Sequence, residues 1–301
     1  ISERDLTGFR ERKLADNNLI DDGCVNCHIC LQQDPSRSFF HLRHAGGWTM
    51  VQQEGKFRKI NTVTDSTISA GVYGSWHPSG RYLAFSTNVI IPEFHSIRNK
   101  RLEVYDTISD LMVLDLGRNE VITSRVIAEK GSFETFPVFS ADGTRLYFCS
   151  ARALKMPADY DEAGYSLCSV GFDAATGSFG SIVDTLISAD RTGRTVSHPK
   201  PSPDGRSLMY TSFDYGNFPV WHEEADLHRL GIELQIDPGR GPAADAAILG
   251  PLKIEGGQEV SVGIDAGGLF QRGPDGPLRP GRVDSGQCGG GVCGQLFGGD
   301  G

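Results

Sequence analysis

Two thiols and an imidazole stand close together near the start of the chain, in Cys24-Val25-Asn26-Cys27-His28. Thiols at this spacing can both add to the vinyl groups on one edge of a porphyrin, and the adjoining histidine is then delivered to the iron as an axial ligand. C-x-x-C-H is the attachment signature of a covalently bound haem c, and each of its parts has a separate job. Two plainer readings stay open. The same residues could be half of a zinc site completed by Cys30, His41 or His44, or thiols with no cofactor. On the haem reading the second axial ligand comes from His41, His44 or Met50. His41 is the favoured choice, because Phe39, Phe40 and Leu42 around it could bury a ring edge; a capping histidine is the plain alternative. The expected cofactor-binding set is therefore Cys24, Cys27, His28 and His41, with His28 and His41 on the metal. Ligation by two histidines would suit electron transfer, whereas an open sixth position would admit a small ligand.

Other polar groupings carry less. His77, Ser140 and Ser202 precede tight turns and read as structural. Trp221-His222-Glu223-Glu224-Ala225-Asp226 gathers aromatic and acidic side chains that could contact a cation or ligand, or simply form a solvated loop. Glu93 and His95 could pair in a long loop. No G-x-S-x-G nucleophile motif is present, and no glycine-rich phosphate loop precedes a helix. No catalytic residues are assigned, and the chain reads as an electron carrier or a binder rather than an enzyme.

The elements that must position these residues show in an internal repeat. Trp76-His77-Pro78-Ser79-Gly80, Phe139-Ser140-Ala141-Asp142-Gly143 and Pro201-Ser202-Pro203-Asp204-Gly205 are tight-turn sequences recurring at intervals of 63 and 62 residues. After each glycine the apolar residues alternate: Leu83 and Phe85, Leu146 and Phe148, Leu208 and Tyr210. That period of two predicts a strand with one buried face. A further strand is predicted in each copy, over 110–115, 165–169 and 225–230. Multi-strand units at this spacing point to an all-β chain built as a β-propeller, incomplete, with about three recognisable blades.

Composition bounds the partners. The net charge is −9 and the pI about 5.4, with no Lys/Arg-rich run, which argues against nucleic acid. No stretch approaches the roughly 18 apolar residues of a membrane helix. Seven cysteines, an odd number, exclude a fully paired disulfide framework. The chain opens on Ile1 with no signal-peptide pattern and reads as a fragment lacking its true start. After about Leu230 the composition shifts, and 20 of the 38 glycines fall in the last 71 residues. A disordered low-complexity tail and a shifted reading frame both account for it. Codon degeneracy favours the second, since Gly276-Pro277-Leu278-Arg279-Pro280-Gly281 can be encoded so that one frame along reads Asp-Leu-Tyr-Ala-Arg.

The turn-and-strand unit resembles the TolB-like, WD-type β-propeller repeat of bacterial envelope proteins. The run from Cys24 to Leu230 is similar to a group of Bacteroidetes envelope proteins that pair a C-x-N-C-H segment with such a propeller. The residues carrying the likeness include Cys24 to His28, Phe40-His41-Leu42-Arg43, Phe133-Glu134-Thr135-Phe136-Pro137 and Tyr215-Gly216-Asn217-Phe218-Pro219. The resemblance implies fold and compartment, not a reaction, together with further blade sequence where the tail reads out of pattern. The expected organisation is a haem-attachment segment over 1–60, propeller blades over 61–230 and a Gly-rich tail over 231–301. On this reading about 45 residues separate His28 from the first propeller strand near Val72, so the haem segment packs against the blades. The expected function is a periplasmic or outer-membrane-associated propeller with covalent haem c, acting in electron transfer or redox sensing with envelope or redox partners. A non-catalytic interaction scaffold is the alternative.

Overall fold

In the computed structural model each predicted turn closes a β-hairpin. The amides of Gly80, Gly143 and Gly205 donate to the carbonyls of His77, Ser140 and Ser202, and all three glycines are left-handed, with φ between 70° and 77°. The structure describes residues 1–232 apart from 20–22, 44–46 and 95–101, together with 264–265 and 268–269. His44, His95 and nearly all of the glycine-rich tail lie outside the described residues.

Residues Ser2–Arg4 (β1) and Glu11–Lys13 (β2) form a small hairpin. The first large sheet is an antiparallel meander of Cys24–Leu31 (β3), Asp34–Arg43 (β4), Trp48–Gln53 (β5) and Lys56–Ile60 (β6). A second contains Val72–Trp76 (β7), Tyr82–Phe94 (β8), Leu102–Asp115 (β9) and Glu120–Ile122 (β10). The third runs through Ser132–Phe139 (β11), Arg145–Arg152 (β12), Ser166–Asp173 (β13) and Ser178–Ile187 (β14). The fourth has Thr195–Pro201 (β15), Ser207–Phe213 (β16) and Asp226–Gly231 (β17). First strands of consecutive sheets lie side by side, β3 by β7, β7 by β11 and β11 by β15. Meanders whose innermost strands share an axis are successive propeller blades.

Two expectations need correction. Residues 24–60 are not an appendage ahead of the propeller but a complete sheet of it, so four sheets of three or four strands, rather than three, stand among the described residues. The first sheet escaped notice because its hairpins use different turns. Gln32-Gln33 and Glu54-Gly55 link the strands through pairs of positive-φ residues (48° and 65°, 52° and 72°), with no Pro-Asp-Gly signal.

Apolar faces meet between sheets. Phe39 and Val51 of the first sheet pack on Trp76, Leu83, Phe85 and Met112 of the second. This approach needs glycine at position 74, where a Cβ would lie 2.4 Å from the Phe85 ring and 2.5 Å from Phe39. Tyr82, Leu111 and Val113 meet Phe139, Phe148 and Phe172 of the third sheet, whose Leu167 and Ile187 meet Val196, Leu208 and Tyr210 of the fourth. The outer face of the first sheet, Phe40 and Leu42, is covered by Ala15 and Ile1.

One irregularity recurs four times. The pairing of each first strand breaks at a bulge, between Asn26 and Ile29, Val72 and Ser75, Thr135 and Val138, and Ser197 and Lys200. Each bulge holds one left-handed residue: Cys27 (φ 53°), Tyr73 (51°), Phe136 (52°) and His198 (51°). A left-handed non-glycine residue costs roughly 1–2 kcal/mol, so the repetition marks a feature of the blade rather than an accident of one strand.

Candidate functional site

The second cysteine of the C-x-x-C-H motif is thus the first sheet's copy of a position occupied elsewhere by Tyr73, Phe136 and His198. Its thiol is desolvated and receives the backbone N–H of Tyr73; burial pushes its pKa up, the Tyr73 amide and Arg43 opposing. The neighbouring His28 is exposed. His41, paired across the strands with Asn26 and Thr49, is 4% exposed. Its ring is walled by Gly47, where a Cβ would come within 3.1 Å of Cε1 and 2.7 Å of Ala70. Its Nδ1 is buried without a hydrogen-bond partner. Burial first, then Arg43, pushes the pKa of His41 down to about 4, so the ring is neutral. Met50 pairs with Phe40 and lies in the apolar cluster on the outer side of the first sheet.

A haem held by these side chains needs Cys24, Cys27 and His28 on one side of a flat slot, with the second ligand across it. The bulge instead sets the Cys27 thiol against the Tyr73 backbone and leaves His28 exposed, while His41 is buried beside Gly47. The residues as arranged do not fit a haem. For zinc, no group of three or more His, Cys, Asp or Glu side chains is placed to hold a metal ion among the described residues.

What the bulges build is an aromatic ring on the inner side of the sheets. Phe136 stacks on His198 at 4.0 Å and lies 5.0 Å from Tyr73, and Phe218 closes on both Tyr73 and Phe136 at 5.8 and 5.5 Å. Burial and Lys200 push His198 down to about 3, so this ring member is also neutral. His77, by contrast, is the structural residue its position suggested. Its ring nitrogens meet Ser79 Oγ at 2.7 Å and the Gly143 carbonyl at 3.0 Å, tying two sheets together.

Beside the ring stands Asp106, 1% exposed. It accepts from Asn88 Nδ2 at 2.8 Å, from Asn217 Nδ2 at 2.6 Å and from the Tyr165 hydroxyl at 3.5 Å. Those partners belong to the second sheet, the loop after β16 and the approach to β13, so one carboxylate joins three sheets. Burial pushes its pKa up to about 7, against the pull of the three donors. Further along β9, Glu103 accepts from the hydroxyls of Tyr105 and, at 3.0 Å, Tyr215. Tyr160 packs against both tyrosines, at 5.2 and 5.5 Å, and His222 lies 4.7 Å from Tyr215. Among the described side chains of the Trp221–Asp226 run, His222 reaches this cluster. The side chain of Trp221 is not described, and Glu223 and Glu224 are exposed.

Glu103 and Asp106 carry no signal in their spacing: both lie on β9, and Tyr165 reaches Asp106 only because the third sheet packs on the second. The bulge residues did leave a signal. Tyr73, Phe136 and His198 each stand seven residues before a turn glycine, Gly80, Gly143 or Gly205.

No family model matches the chain, and no curated protein matches it. Solved structures similar to it include TolB from Agrobacterium tumefaciens, 14% identical over 64% of this chain and 73% of that one, TM-score 0.31. An oligogalacturonate lyase in complex with manganese is 13% identical over 78% and 69%, TM-score 0.38. Prolyl oligopeptidase B from Galerina marginata is 10% identical over 72% and 29%, TM-score 0.43, so the chain spans less than a third of that enzyme. At this level of likeness nothing about activity transfers, and the architecture rests on the sheets themselves.

Proposed function

We propose that the chain is a non-catalytic interaction module whose loop-bearing face docks a partner protein. The observation that carries this reading is the way three sheets contribute to one pre-organised surface. The β8–β9 hairpin runs well past the sheet it belongs to, since its pairing continues from Tyr82↔Asp115 to Phe94↔Leu102. Asp106 and Glu103 fasten it to the loops of the next two sheets. On this framework Val89 and Ile108, cross-strand neighbours, are 46% and 53% exposed, and Val220, in the short helical turn Pro219–Trp221 after Asn217, is 62% exposed. Apolar side chains held out on a fixed scaffold suit docking, because little ordering entropy remains to be lost on association. An envelope location accompanies this reading, and fractionation of the native host checks it. Among the described residues no helix is long and apolar enough to cross a membrane.

The test compares two variants in crosslinking and capture from the native host. V89D/I108D is expected to lose the partner that wild type captures, and C24S/C27S is expected to retain it. Loss in C24S/C27S alone, together with a pyridine haemochrome band in the wild type, would overturn the proposal in favour of a haem carrier.

A further inference from the structure

We propose that the cavity between the third and fourth sheets binds a small organic cation built on one aromatic ring, an arylalkylamine in chemical class. The cavity encloses about 220 Å³ between the end of β14 and the facing side of β15, β16 and β17, and Ile187, Val196, Tyr210 and His228 stand in its wall. A space of about 150 Å³ already admits a benzene ring, so one ring with a short arm fills this one. Tyr210 and His228, paired across the strands, stack with their ring planes 15° apart and their centroids 5.2 Å apart. A wall of stacked rings suits a flat guest better than a branched aliphatic one.

Two polar groups in that wall lack partners. Tyr210 is 5% exposed, yet its hydroxyl makes no hydrogen bond among the described residues, and burial pushes its pKa up. His228 Nδ1 is buried and equally unpaired. The polar groups of a closed core are paired, so an unpaired phenol beside a cavity marks a place for a polar atom of a ligand.

The mouth sets the charge. Arg194 stands there with Asp226, and its guanidinium already donates to the Ser212 hydroxyl at 3.3 Å, the Ser212 carbonyl at 3.2 Å and the Glu224 carbonyl at 2.8 Å. It also lies 3.5 Å from Asp214 and 3.6 Å from Asp226. With these donors engaged and one cation set against two carboxylates, the mouth suits an ammonium group better than a carboxylate or phosphate. Both aspartates are more than half exposed, so water screens them and the preference for charge is modest.

The site shares no residue with the exposed apolar set of the docking face, and its test needs no partner. Tyramine, phenethylamine and 4-hydroxyphenylacetate are titrated into the full chain and followed by ligand-observed NMR. Tyramine should bind with a Kd of about 1 mM. The acid, with the same ring and the opposite charge, should bind roughly 5-fold more weakly. D226N should weaken both amines about 3-fold and leave the acid no weaker. Y210F should weaken tyramine about 5-fold and leave phenethylamine, which has no ring hydroxyl, unchanged; a merely structural role for Tyr210 would not split the two amines. Circular dichroism confirms that each variant folds. If Y210F does not fold, D226N, at an exposed position, decides the matter together with the wild-type series. No binding of tyramine, equal binding of amine and acid, or wild-type affinities in both variants overturns the proposal.

Discussion

Asp106 makes a prediction whose size can be worked from the structure. Its carboxyl sits at about 7 in the fold against 3.8 as a free side chain. A carboxyl raised in the folded state keeps a proton that the unfolded chain gives up. Its contribution is therefore largest at acidic pH and is lost as pH climbs from about 4 through 7. Between pH 5.5 and pH 8 this one group should cost the fold about 2 kcal/mol. Glu134, raised to about 7 from 4.5, should cost about 2 kcal/mol more over the same interval. Two buried histidines work the other way. His41 and His198, lowered to about 4 and about 3 from 6.5, refuse protons that the unfolded chain accepts. Each should therefore add about 1.4 kcal/mol on going from pH 5.5 to pH 8. These opposing groups leave the wild type about 1 kcal/mol less stable at pH 8 than at pH 5.5, and the informative quantity is its difference from D106N. That variant keeps the shape of the side chain and removes the titration. Urea unfolding of both proteins at the two pH values should show D106N gaining about 2 kcal/mol relative to wild type at pH 8 compared with pH 5.5. Parallel profiles would refute the placement of Asp106 as a buried carboxylate shared by three sheets.

Further expectations follow from the packing and from the motif. G74A should destabilise the chain by about 1–3 kcal/mol, because the added methyl enters the space of Phe39 and Phe85; denaturant unfolding measures it, and a neutral result would mean that the first two sheets do not meet as described. Protein isolated from its native host should give no pyridine haemochrome band, whereas a band lost in C24S/C27S would show that the first strand rearranges to take a porphyrin. C27A should cost no more than about 2 kcal/mol in urea unfolding, since it removes a small half-buried side chain and leaves the bulge in place.

Much of the architecture was legible in the sequence. The turn glycines at 80, 143 and 205 announced a repeat, and the alternation after each announced strands, because both signals are local and rest on backbone sterics and period-two burial. The first sheet was hidden for an equally local reason: its turns at Gln32-Gln33 and Glu54-Gly55 share no sequence with the others. Cys27 shares its bulge position with Tyr73, Phe136 and His198, a relation that the spacing of the thiols does not disclose. Asp106, Asn88, Tyr165 and Asn217 lie up to 129 positions apart along the chain, between Asn88 and Asn217. Only the stacking of sheets brings them together, and no pattern within one strand encodes that.

The four bulges have a consequence for how such a protein can change. Cysteine, tyrosine, phenylalanine and histidine all occupy the same backbone kink, so the kink is dictated by the curvature of the blade and is indifferent to what hangs from it. Each blade therefore offers the axle of the wheel one exchangeable spoke tip. Rewriting those four letters would alter the polarity, size or redox character of the hub while leaving every rung of the sheets untouched.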